Sequence, residues 1–423
     1  MNNKFKFTIA AAVAVAVLFL VINVLPEDKN ILLSGKQEIV KINSNAFGSL
    51  ATLTSSSRGQ GGGGNGNTSP VMAPDASGQE DSKIAPGGMG GGGTEPAFFP
   101  VNYKYTYKGE AFTVDFDKME VYERMGGFGA SDLQSLLSRF DVGLFNINKF
   151  ADASLDYITA SQQYDFGHTL SLDLKQGIVN IYENWEKWQT PDRLCQNEAC
   201  YNQYRMRPED MPSDEYVIAT ANAFLAEFGI DKAAYGEPVI QNMWRILYES
   251  AADKSSIYIP DVVSLVYPAK IGDNEVYDQG GNKNGMYVSV NVRLNKVSSL
   301  GELTSQRYQG SEYATEQDTK RLIGVAEKGG YQNYMPLYDQ ANTETKELEL
   351  GSPITGFVRL WQTLSGNGKS RDLFVPSLIF PITNAPDEYY SKHVIVPLVK
   401  EILDSDQSNR GGIDVMPLPA EIK

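Results

Sequence analysis

The side chains best suited to chemistry in this sequence are few, and most of them lie between residues 168 and 200. The 423 residues include two histidines and two cysteines, which leaves little material for histidine-based catalysis or for a zinc site made of protein ligands alone. The sequence contains no GxSxG nucleophile elbow, no HExxH zinc motif and no GxxxxGKS or GxxxxGKT phosphate loop. We therefore expect no catalytic residue, no resident metal and no cofactor.

A cluster of carboxylates and indoles follows the apolar stretch at residues 178–181, in the segment Tyr-Glu-Asn-Trp-Glu-Lys-Trp. Paired carboxylates beside aromatic rings suit a glycosidase, where their separation and a raised pKa assign the acid and the nucleophile. The same rings suit a surface that stacks on sugars. The plainer interpretation, which we favour, is an aromatic strand end with a solvated charged face. The candidate ligand surface consists of Glu183, Trp185, Glu186 and Trp188.

Cys195 and Cys200 are five residues apart and lie outside the membrane on the topology inferred below. Extracytoplasmic compartments permit disulfides, and a tight turn brings two Cα atoms within bonding range. We therefore predict a local disulfide. Zinc with His168 as a third ligand and a redox-active pair are the alternatives, but C-x4-C is a weak zinc signature. His168 and His393 are expected to face solvent or to cap other elements.

Two acidic stretches resemble calcium loops. The first starts at Asp404, and the EF-hand pattern requires glycine at its sixth position, where this sequence has Asn409. We expect a polar C-terminal turn there. In the second, residues 273–285, the glycines suit turn positions with positive φ. We expect a long hairpin-like connection, with calcium binding as the weaker alternative.

The first hydrophobic feature of the chain is an uncharged run of 19 residues from Phe7 to Leu25. As a helix it spans roughly 28 Å, close to the ~30 Å hydrocarbon core of a bilayer. Lys4 and Lys6 precede the run and acidic residues follow it, so the positive-inside rule places the N-terminus in the cytoplasm. A cleaved signal peptide is the alternative, but no Ala-x-Ala site ends the run. We predict a single-pass plasma-membrane protein with an extracytoplasmic C-terminal part.

Residues 55–97 form a low-complexity segment that contains 13 of the chain's 39 glycines. A segment with so little to bury behaves as a flexible coil. We interpret it as a tether between the anchor and the ectodomain. Nearer the membrane, residues 38–42 are compatible with a short strand or with a turn of helix.

The net charge of −15 belongs entirely to residues 98–423, which hold 30 basic and 45 acidic residues and all 23 tyrosines. An acidic exterior argues against nucleic acid as a partner, since a nucleic-acid binder needs a basic surface to neutralise phosphates. The 42 % hydrophobic content excludes wholesale disorder.

Four helices follow from caps and apolar spacing. One begins after Ser131, and a stronger one is capped by Ser213, carries an apolar stripe and ends at Gly229. A third begins at Thr315 with a capping-box-like pattern and stops at a glycine pair. The last is expected over residues 392–403, with a proline as a kink or as its true start.

Strands are predicted between these helices. Leucines alternate over residues 170–174, and a Lys-Gln-Gly turn leads from them into residues 178–181. Residues 288–294 repeat the alternation. Each pattern predicts one side of an antiparallel hairpin with a single buried face.

The most informative feature is a pattern that occurs twice. Both copies begin with Gly-x-Pro and a β-branched residue, continue through a tryptophan, and end with Ser-Leu, an apolar residue, an aromatic residue and Pro. Proline at a strand entrance removes only a donor that the ladder can spare. We interpret the copies as a duplicated α+β module, with chance similarity of apolar strands as the alternative. The motif residues are Gly236, Pro238, Trp244, Tyr267 and Pro268 in the first copy, and Gly351, Pro353, Trp361, Phe380 and Pro381 in the second.

This tandem arrangement behind one membrane helix resembles PepSY-type extracytoplasmic domains. The layout is similar to that of membrane-anchored accessory proteins that regulate cell-wall sensor kinases in Gram-positive bacteria. The resemblance covers roughly residues 210–400 and rests on the Gly-x-Pro and aromatic-Pro motifs and on the helices at Ser213 and Thr315. It implies binding to another envelope or membrane protein, and it brings no catalytic residues with it.

The sequence therefore predicts an α+β, membrane-anchored, extracytoplasmic binding or regulatory protein that acts through protein–protein contacts. The alternative is an envelope glycan-binding protein or hydrolase that uses the Glu183–Trp188 cluster. The expected segments are a cytoplasmic stub (1–6), a transmembrane anchor (7–25), a membrane-proximal segment (26–54), a Gly/Ser/Pro linker (55–97), an N-terminal α+β region (98–205), a PepSY-like module (206–305) and a second such module with a C-terminal helix (306–423).

Overall fold

The computed structural model describes residues 37–51, 102–128, 156–241, 243–331, 345–363, 370–385 and 391–409. Within them the chain is mixed α and β, with more strands than helices. The strands are β1 (Glu38–Lys41), β2 (Asn102–Tyr107), β3 (Lys118–Arg124), β4 (Tyr157–Ser161), β5 (His168–Asp173), β6 (Ile178–Glu183), β7 (Val239–Gln241), β8 (Val262–Pro268), β9 (Lys270–Ile271), β10 (Asn274–Tyr277), β11 (Gly285–Asn291), β12 (Lys296–Thr304), β13 (Arg307–Ala314), β14 (Thr345–Leu350), β15 (Ile354–Thr363), β16 (Ser370–Pro381) and β17 (His393–Pro397). The helices are α1 (Pro191–Leu194), α2 (Glu198–Gln203), α3 (Asp214–Glu227), α4 (Met243–Ser250), α5 (Thr319–Ala326) and α6 (Lys400–Asn409).

Most strands belong to two large sheets. Sheet I has eight strands in the order β1-β13-β3-β16-β15-β10-β9, with β17 also paired to β16. Sheet II has seven strands in the order β4-β5-β6-β12-β11-β8-β7, and every neighbouring pair in it is antiparallel. A further parallel pair is formed by β2 and β14.

Sheet II buries one face against α3. The predicted hairpin forms between β5 and β6, with Leu170 opposite Ile181, and Gly177 takes the left-handed φ of 67° that this turn requires. The apolar side chains of these strands pack in one core with the apolar stripe of α3. Ser213 caps that helix by accepting a hydrogen bond from the Tyr216 N–H, as the sequence predicts.

Sheet I is covered on both faces. Every residue of β16 from Asp372 to Phe380 is buried, as expected of a strand with protein on both sides. One face contributes aromatic side chains, among them Tyr308 and Phe374, to the core of sheet II. The other apolar side chains form two clusters, one with α6 and one with α5 and the β2–β14 pair.

The two copies of the repeated pattern have the same strand register. In each copy, the strand after Gly-x-Pro pairs antiparallel with the Ser-Leu strand at equivalent positions. The glycine of each copy donates its N–H to the carbonyl of the final proline, over 2.7 Å in the first copy and 2.8 Å in the second. The matching pairs are Val239–Val266 and Ile354–Ile379, Ile240–Leu265 and Thr355–Leu378, and Gln241–Ser264 and Gly356–Ser377.

The two copies differ after their first strand. In the first copy β7 is three residues long and leads into α4, which carries Trp244. In the second copy β15 continues for ten residues and carries Trp361. The tryptophans therefore occupy different elements, and only the strand pairing and the glycine and proline positions correspond.

Two of the predicted helix boundaries are wrong. The N-cap of α5 is Asp318, which accepts hydrogen bonds from the N–H groups of Lys320 and Arg321, so Thr315 lies outside the helix. Residues 393–397 form a strand, β17, because they complete sheet I beside β16. The final helix begins at Lys400 and runs through the stretch predicted as a polar turn.

The described strands of the predicted 98–205 region do not form a sheet of their own. β3 lies in sheet I between β13 and β16, whereas β4, β5 and β6 extend sheet II. The predicted anchor, the whole predicted linker (55–97) and the helix after Ser131 lie outside the described residues. Among the residues described, none of the helices has the length and apolar character needed to cross a membrane.

Candidate functional site

The outer face of sheet II carries a continuous row of uncharged polar side chains. Because neighbouring residues on one face of a sheet lie directly opposite each other, the register places one such side chain on each of the seven strands. The row, called here the hydroxyl row, consists of Ser161, Thr169, Tyr182, Ser299, Ser289, Ser264 and Gln241.

The hydroxyl row is accessible to solvent over most of its length. Tyr182 is 42 % exposed, and the three serines in its middle are partly exposed. Neighbouring hydroxyls already bond each other at two points: Ser161 Oγ lies 2.9 Å from Thr169 Oγ1, and Ser264 Oγ lies 3.1 Å from Ser289 Oγ. With strands about 4.8 Å apart, the row is roughly 29 Å long.

Tyrosines flank the hydroxyl row on the same face. Tyr157 is 63 % exposed on β4, and Tyr287 lies on β11 two residues before Ser289. Tyrosine offers a large, rigid contact area at low entropic cost, and serine and asparagine offer adaptable hydrogen bonds. The face therefore combines the side chains that antibody binding surfaces favour, and Asp173 is a charged residue at its edge, opposite Tyr157.

Glu183 lies at the end of β6, on the core side of sheet II opposite His168. Burial, followed by the nearby charges of Asp261 and Asp192, raises the pKa of its carboxyl to about 6. With this raised pKa, Glu183 keeps its proton to a higher pH than an ordinary glutamate does, which is one requirement for a general acid.

The structure separates the other members of the predicted ligand surface. Trp185 is 50 % exposed in the turn after β6, and Glu186 is exposed beside it. Trp188 is fully buried and donates its indole N–H to the Gly167 carbonyl over 2.8 Å. Its assignment to a surface is therefore wrong, since burial of the indole and satisfaction of its N–H make it part of the core.

The predicted disulfide is confirmed: Cys195 and Cys200 are bonded, with their Cα atoms 5.3 Å apart. The bond joins the end of α1 to α2, whose N-cap Asn197 accepts a hydrogen bond from the Cys200 N–H over 3.0 Å. It fixes a small lobe beside the Glu183 end of sheet II.

Both histidines have structural partners. His168 is buried against Trp188 and Phe224, and its Nε2 lies 2.8 Å from the Val297 carbonyl. Burial lowers its pKa. The prediction of a solvent-facing or capping side chain was wrong for His168, because the apolar neighbours that enclose it come from distant parts of the chain. His393 starts β17, and its Nδ1 lies 2.9 Å from the Gly281 carbonyl.

Three buried charges on adjacent strands of sheet I, which the sequence did not predict, form a network that Glu302 of sheet II joins from a partly exposed position. Asp372 accepts from Arg359 through both carboxylate oxygens, at 2.8 and 3.0 Å, and from Arg124 Nε at 2.9 Å. Arg359 also donates to Glu302 over 2.8 Å. Glu302 lies on β12 with a left-handed φ of 58°, at a register shift that turns its side chain toward sheet I.

The network encloses little empty space. Its cavity, lined also by Tyr235 and Tyr308, offers about 20 Å³ to the centre of a water molecule, which is room for about one water. A cavity of this size has no room for a ligand larger than a water molecule, so we assign the network a structural role. The sequence does contain an indication of the network, since Arg359 and Asp372 interrupt apolar strands. A buried charge requires a partner, but the sequence does not show which residue that partner is.

The repeat residues occupy structural positions. Gly236 and Gly351 donate to Pro268 and Pro381 at the open end of each strand pair, opposite the connection between the two strands. Trp361 lies under the Arg359 guanidinium, 4.6 Å from its ring centre. Within the described residues, no group of three or more His, Cys, Asp or Glu side chains is placed to hold a metal ion.

Comparisons with known proteins gave matches among solved structures alone. No protein-family model matches the sequence, and no curated protein matches it. Among solved structures, the chain is similar to the Bacillus megaterium YpeB C-terminal domain, with 8 % sequence identity and a TM-score of 0.22, over 64 % of this chain and 99 % of that one. At this score the similarity assigns neither a fold family nor a function.

Proposed function

We propose that this chain is a membrane-anchored extracytoplasmic protein that regulates or supports the cell envelope by binding another envelope protein through the outer face of sheet II. The observation that carries the proposal is the hydroxyl row. The row crosses all seven strands of sheet II without a charged side chain. The cores of protein interfaces are depleted in charge, and the combination of tyrosine with serine is typical of antibody binding surfaces.

Two further features support the proposal. The Cys195–Cys200 disulfide suits an oxidising, extracytoplasmic compartment. The edge strand β7 is short, and Val239 on it is 42 % exposed. A partner strand added at that edge would pair with the backbone and would also reach the Gln241 end of the row. We also propose that the chain lies at the plasma membrane and acts there as an accessory regulator.

The proposal is tested by chemical crosslinking in intact membranes. We expect the wild-type chain to recover one specific envelope protein. The triple variant Ser264→Lys, Ser289→Lys, Ser299→Lys places charges in the middle of the row and should lose that partner, because lysine resists desolvation at an interface core. Equal recovery by the folded variant and the wild type would sink the proposal.

A second candidate function rests on Glu183. Its raised pKa of about 6 and its carboxylate neighbours Asp192 and Asp261 suit acid catalysis or glycan binding, with Trp185 available for stacking. If this candidate is right, Glu183→Gln abolishes hydrolysis of cell-wall polymer by the purified protein. Glu186→Gln is the matched control on the exposed side of the turn. Activity that survives Glu183→Gln excludes the candidate.

A further inference from the structure

Residues 37–51, called here the N-terminal segment, lie on sheet I although 50 residues separate them from the next described strand. Their position in the sequence is between the predicted anchor and the predicted linker. The segment makes three kinds of contact with the rest of the chain: backbone pairing, hydrogen bonds to buried hydroxyls, and burial of two apolar side chains.

The backbone of the segment extends sheet I at its edge. β1 pairs in parallel with β13, with Glu38 opposite Arg307 and Lys41 opposite Gly310. The pairing continues beyond the strand, since the Asn45 N–H donates to the Glu312 carbonyl over 3.0 Å. These bonds depend on the backbone and so recognise any extended peptide.

Two buried hydroxyls on β13 recognise the turns that follow β1. Ser311, which is fully buried, donates to the Asn43 carbonyl over 2.8 Å and accepts from the Ala46 N–H over 2.9 Å. Tyr313, 2 % exposed, donates from its hydroxyl to the Gly48 carbonyl over 3.1 Å and accepts from the Phe47 N–H over 3.0 Å. Each hydroxyl thus binds the segment through two hydrogen bonds, one that it donates and one that it accepts.

Two apolar side chains anchor the segment. Phe47 stacks on the Tyr313 ring with 6.3 Å between ring centres, and Leu50 is completely buried. Both belong to the core cluster that contains Ile402 of α6. By contrast, Ile39 and Val40 on β1 are 38 % and 42 % exposed. Specificity for the segment therefore lies in the Phe-Gly-Ser-Leu portion at residues 47–50.

We propose that the edge of β13, together with the pocket that holds Phe47 and Leu50, is a peptide-binding site whose ligand is the chain's own N-terminal segment. The site recognises an extended peptide with a phenylalanine and a leucine three residues apart. It holds the segment without the help of the connection between residues 51 and 102.

This site changes the role predicted for the linker. Only residues 26–36 separate the predicted anchor from the bound segment, and eleven residues span at most about 36–40 Å. The glycine-rich stretch begins and ends on the folded part of the chain, so it is not the tether of the ectodomain. This consequence rests on the membrane anchoring in the proposed function, whereas the peptide site itself does not.

The test uses the full chain in detergent, with an affinity tag at its N-terminus and a protease recognition sequence inserted between Gly64 and Asn65. After cleavage, the C-terminal fragment is expected to stay with the tagged N-terminal fragment on the affinity resin. An excess of synthetic peptide covering residues 36–52 should then release it. Immediate loss of the C-terminal fragment after cleavage would overturn the proposal.

Peptide variants provide matched controls. The Leu50→Ala peptide should compete at least about 30-fold more weakly, because a buried leucine truncated to alanine costs about 2 kcal/mol or more. The Ile39→Ala peptide loses an exposed side chain and should compete within about 3-fold of the wild type. Equal competition by both variants contradicts the proposed pocket.

A co-expression experiment tests the assignment to the same chain. Tagged and untagged chains are co-expressed and captured on the resin without cleavage. Recovery of the untagged full-length chain would show that the segment is exchanged between copies and would overturn the intramolecular assignment. Capture on the tag does not depend on membranes, whereas the proposed binding function is measured by crosslinking in membranes. A negative result for the peptide site can therefore be distinguished from a negative result for the binding function.

Discussion

At the scale of single residues, Asp372 is a charged side chain in a buried environment. It is 6 % exposed and is the shared partner of two guanidinium groups. Asp372→Asn keeps the shape but leaves Arg124 and Arg359 without their common counter-charge. We expect a loss of about 3–5 kcal/mol in the free energy of unfolding, since breaking a buried pair strands a buried charge. Denaturant titration measures it.

The matched control is an ion pair on the surface. Lys104 and Glu347 are 3.0 Å apart, with side chains 64 % and 67 % exposed. Lys104→Ala should cost at most about 1 kcal/mol. If the two substitutions cost the same, the buried ion pairs of Asp372 do not stabilise sheet I as described.

Glu183 makes the stability of the protein depend on pH. Its folded pKa of about 6 lies above the ordinary value of 4.5, so the folded state binds this proton more tightly than the unfolded chain does. The contribution to stability is full below about pH 4.5 and is lost as the pH rises through 6. Glu183→Gln should therefore raise the melting temperature relative to wild type at pH 7.5 and leave it unchanged at pH 4.5.

The exposed neighbour Glu186 supplies the control for that experiment. Glu186→Gln should follow the wild type at both pH values. A gain from Glu183→Gln that is equal at the two pH values would contradict the raised pKa and point to packing instead.

At the scale of elements, the disulfide is the simplest test. Both cysteines should resist alkylation without reductant, because they are bonded to each other. Replacing both by alanine should cost about 2 kcal/mol, the chain-entropy value for so short a loop. The measurement is denaturant unfolding of the variant and the wild type in parallel. Labelling of either cysteine without reductant would contradict the bond.

The glycine pair after α5 makes a second prediction about an element. Gly330 has φ of 84°, and a Cβ there would lie 2.5 Å from the Ile395 carbonyl oxygen. Gly330→Ala should destabilise by at least about 1 kcal/mol. Gly324, inside the same helix, has open space where a Cβ would be, so Gly324→Ala should stabilise by about 0.5–1 kcal/mol. Thermal unfolding shows whether the signs are opposite, and equal signs would refute the assignment.

The elements that could be predicted are those whose signal is local. The α3 helix and the β5–β6 hairpin follow from a cap, a stripe and a turn residue, all within one stretch of chain. Residues 392–403 also carried a helical pattern, but pairing with β16 made a strand of β17. Where a segment becomes a strand because it pairs with another strand, its own sequence does not show that it will.

The candidate site was harder to predict than the fold. Trp188 and Trp185 have the same chemistry and lie three residues apart, yet one is buried and the other is 50 % exposed. The hydroxyl row comes from seven separate strands, so its continuity appears only once the register is known. The repeated pattern predicted two copies of one module but not how their strands pair, and the equivalent pairing of the two copies is seen in the structure.

At the scale of the whole molecule, the two sheets are unequal. Sheet I is enclosed by helices, the β2–β14 pair and the N-terminal segment, whereas the outer face of sheet II exposes tyrosines and serines. The network at Asp372 connects three adjacent strands of sheet I, and Arg359 extends it to Glu302 of sheet II. In this arrangement sheet I supports the fold, and the outer face of sheet II is the surface available for binding a partner.

The most direct test of that account is a scan with a site-specific photocrosslinking amino acid in intact membranes. Probes at positions 182 and 289 lie on the hydroxyl row, and probes at exposed positions 215 and 320 lie on helices α3 and α5. The account predicts one specific crosslinked partner from the row positions and none from the helix positions. Crosslinks to that partner from the helices alone, or no partner from the row, would contradict it.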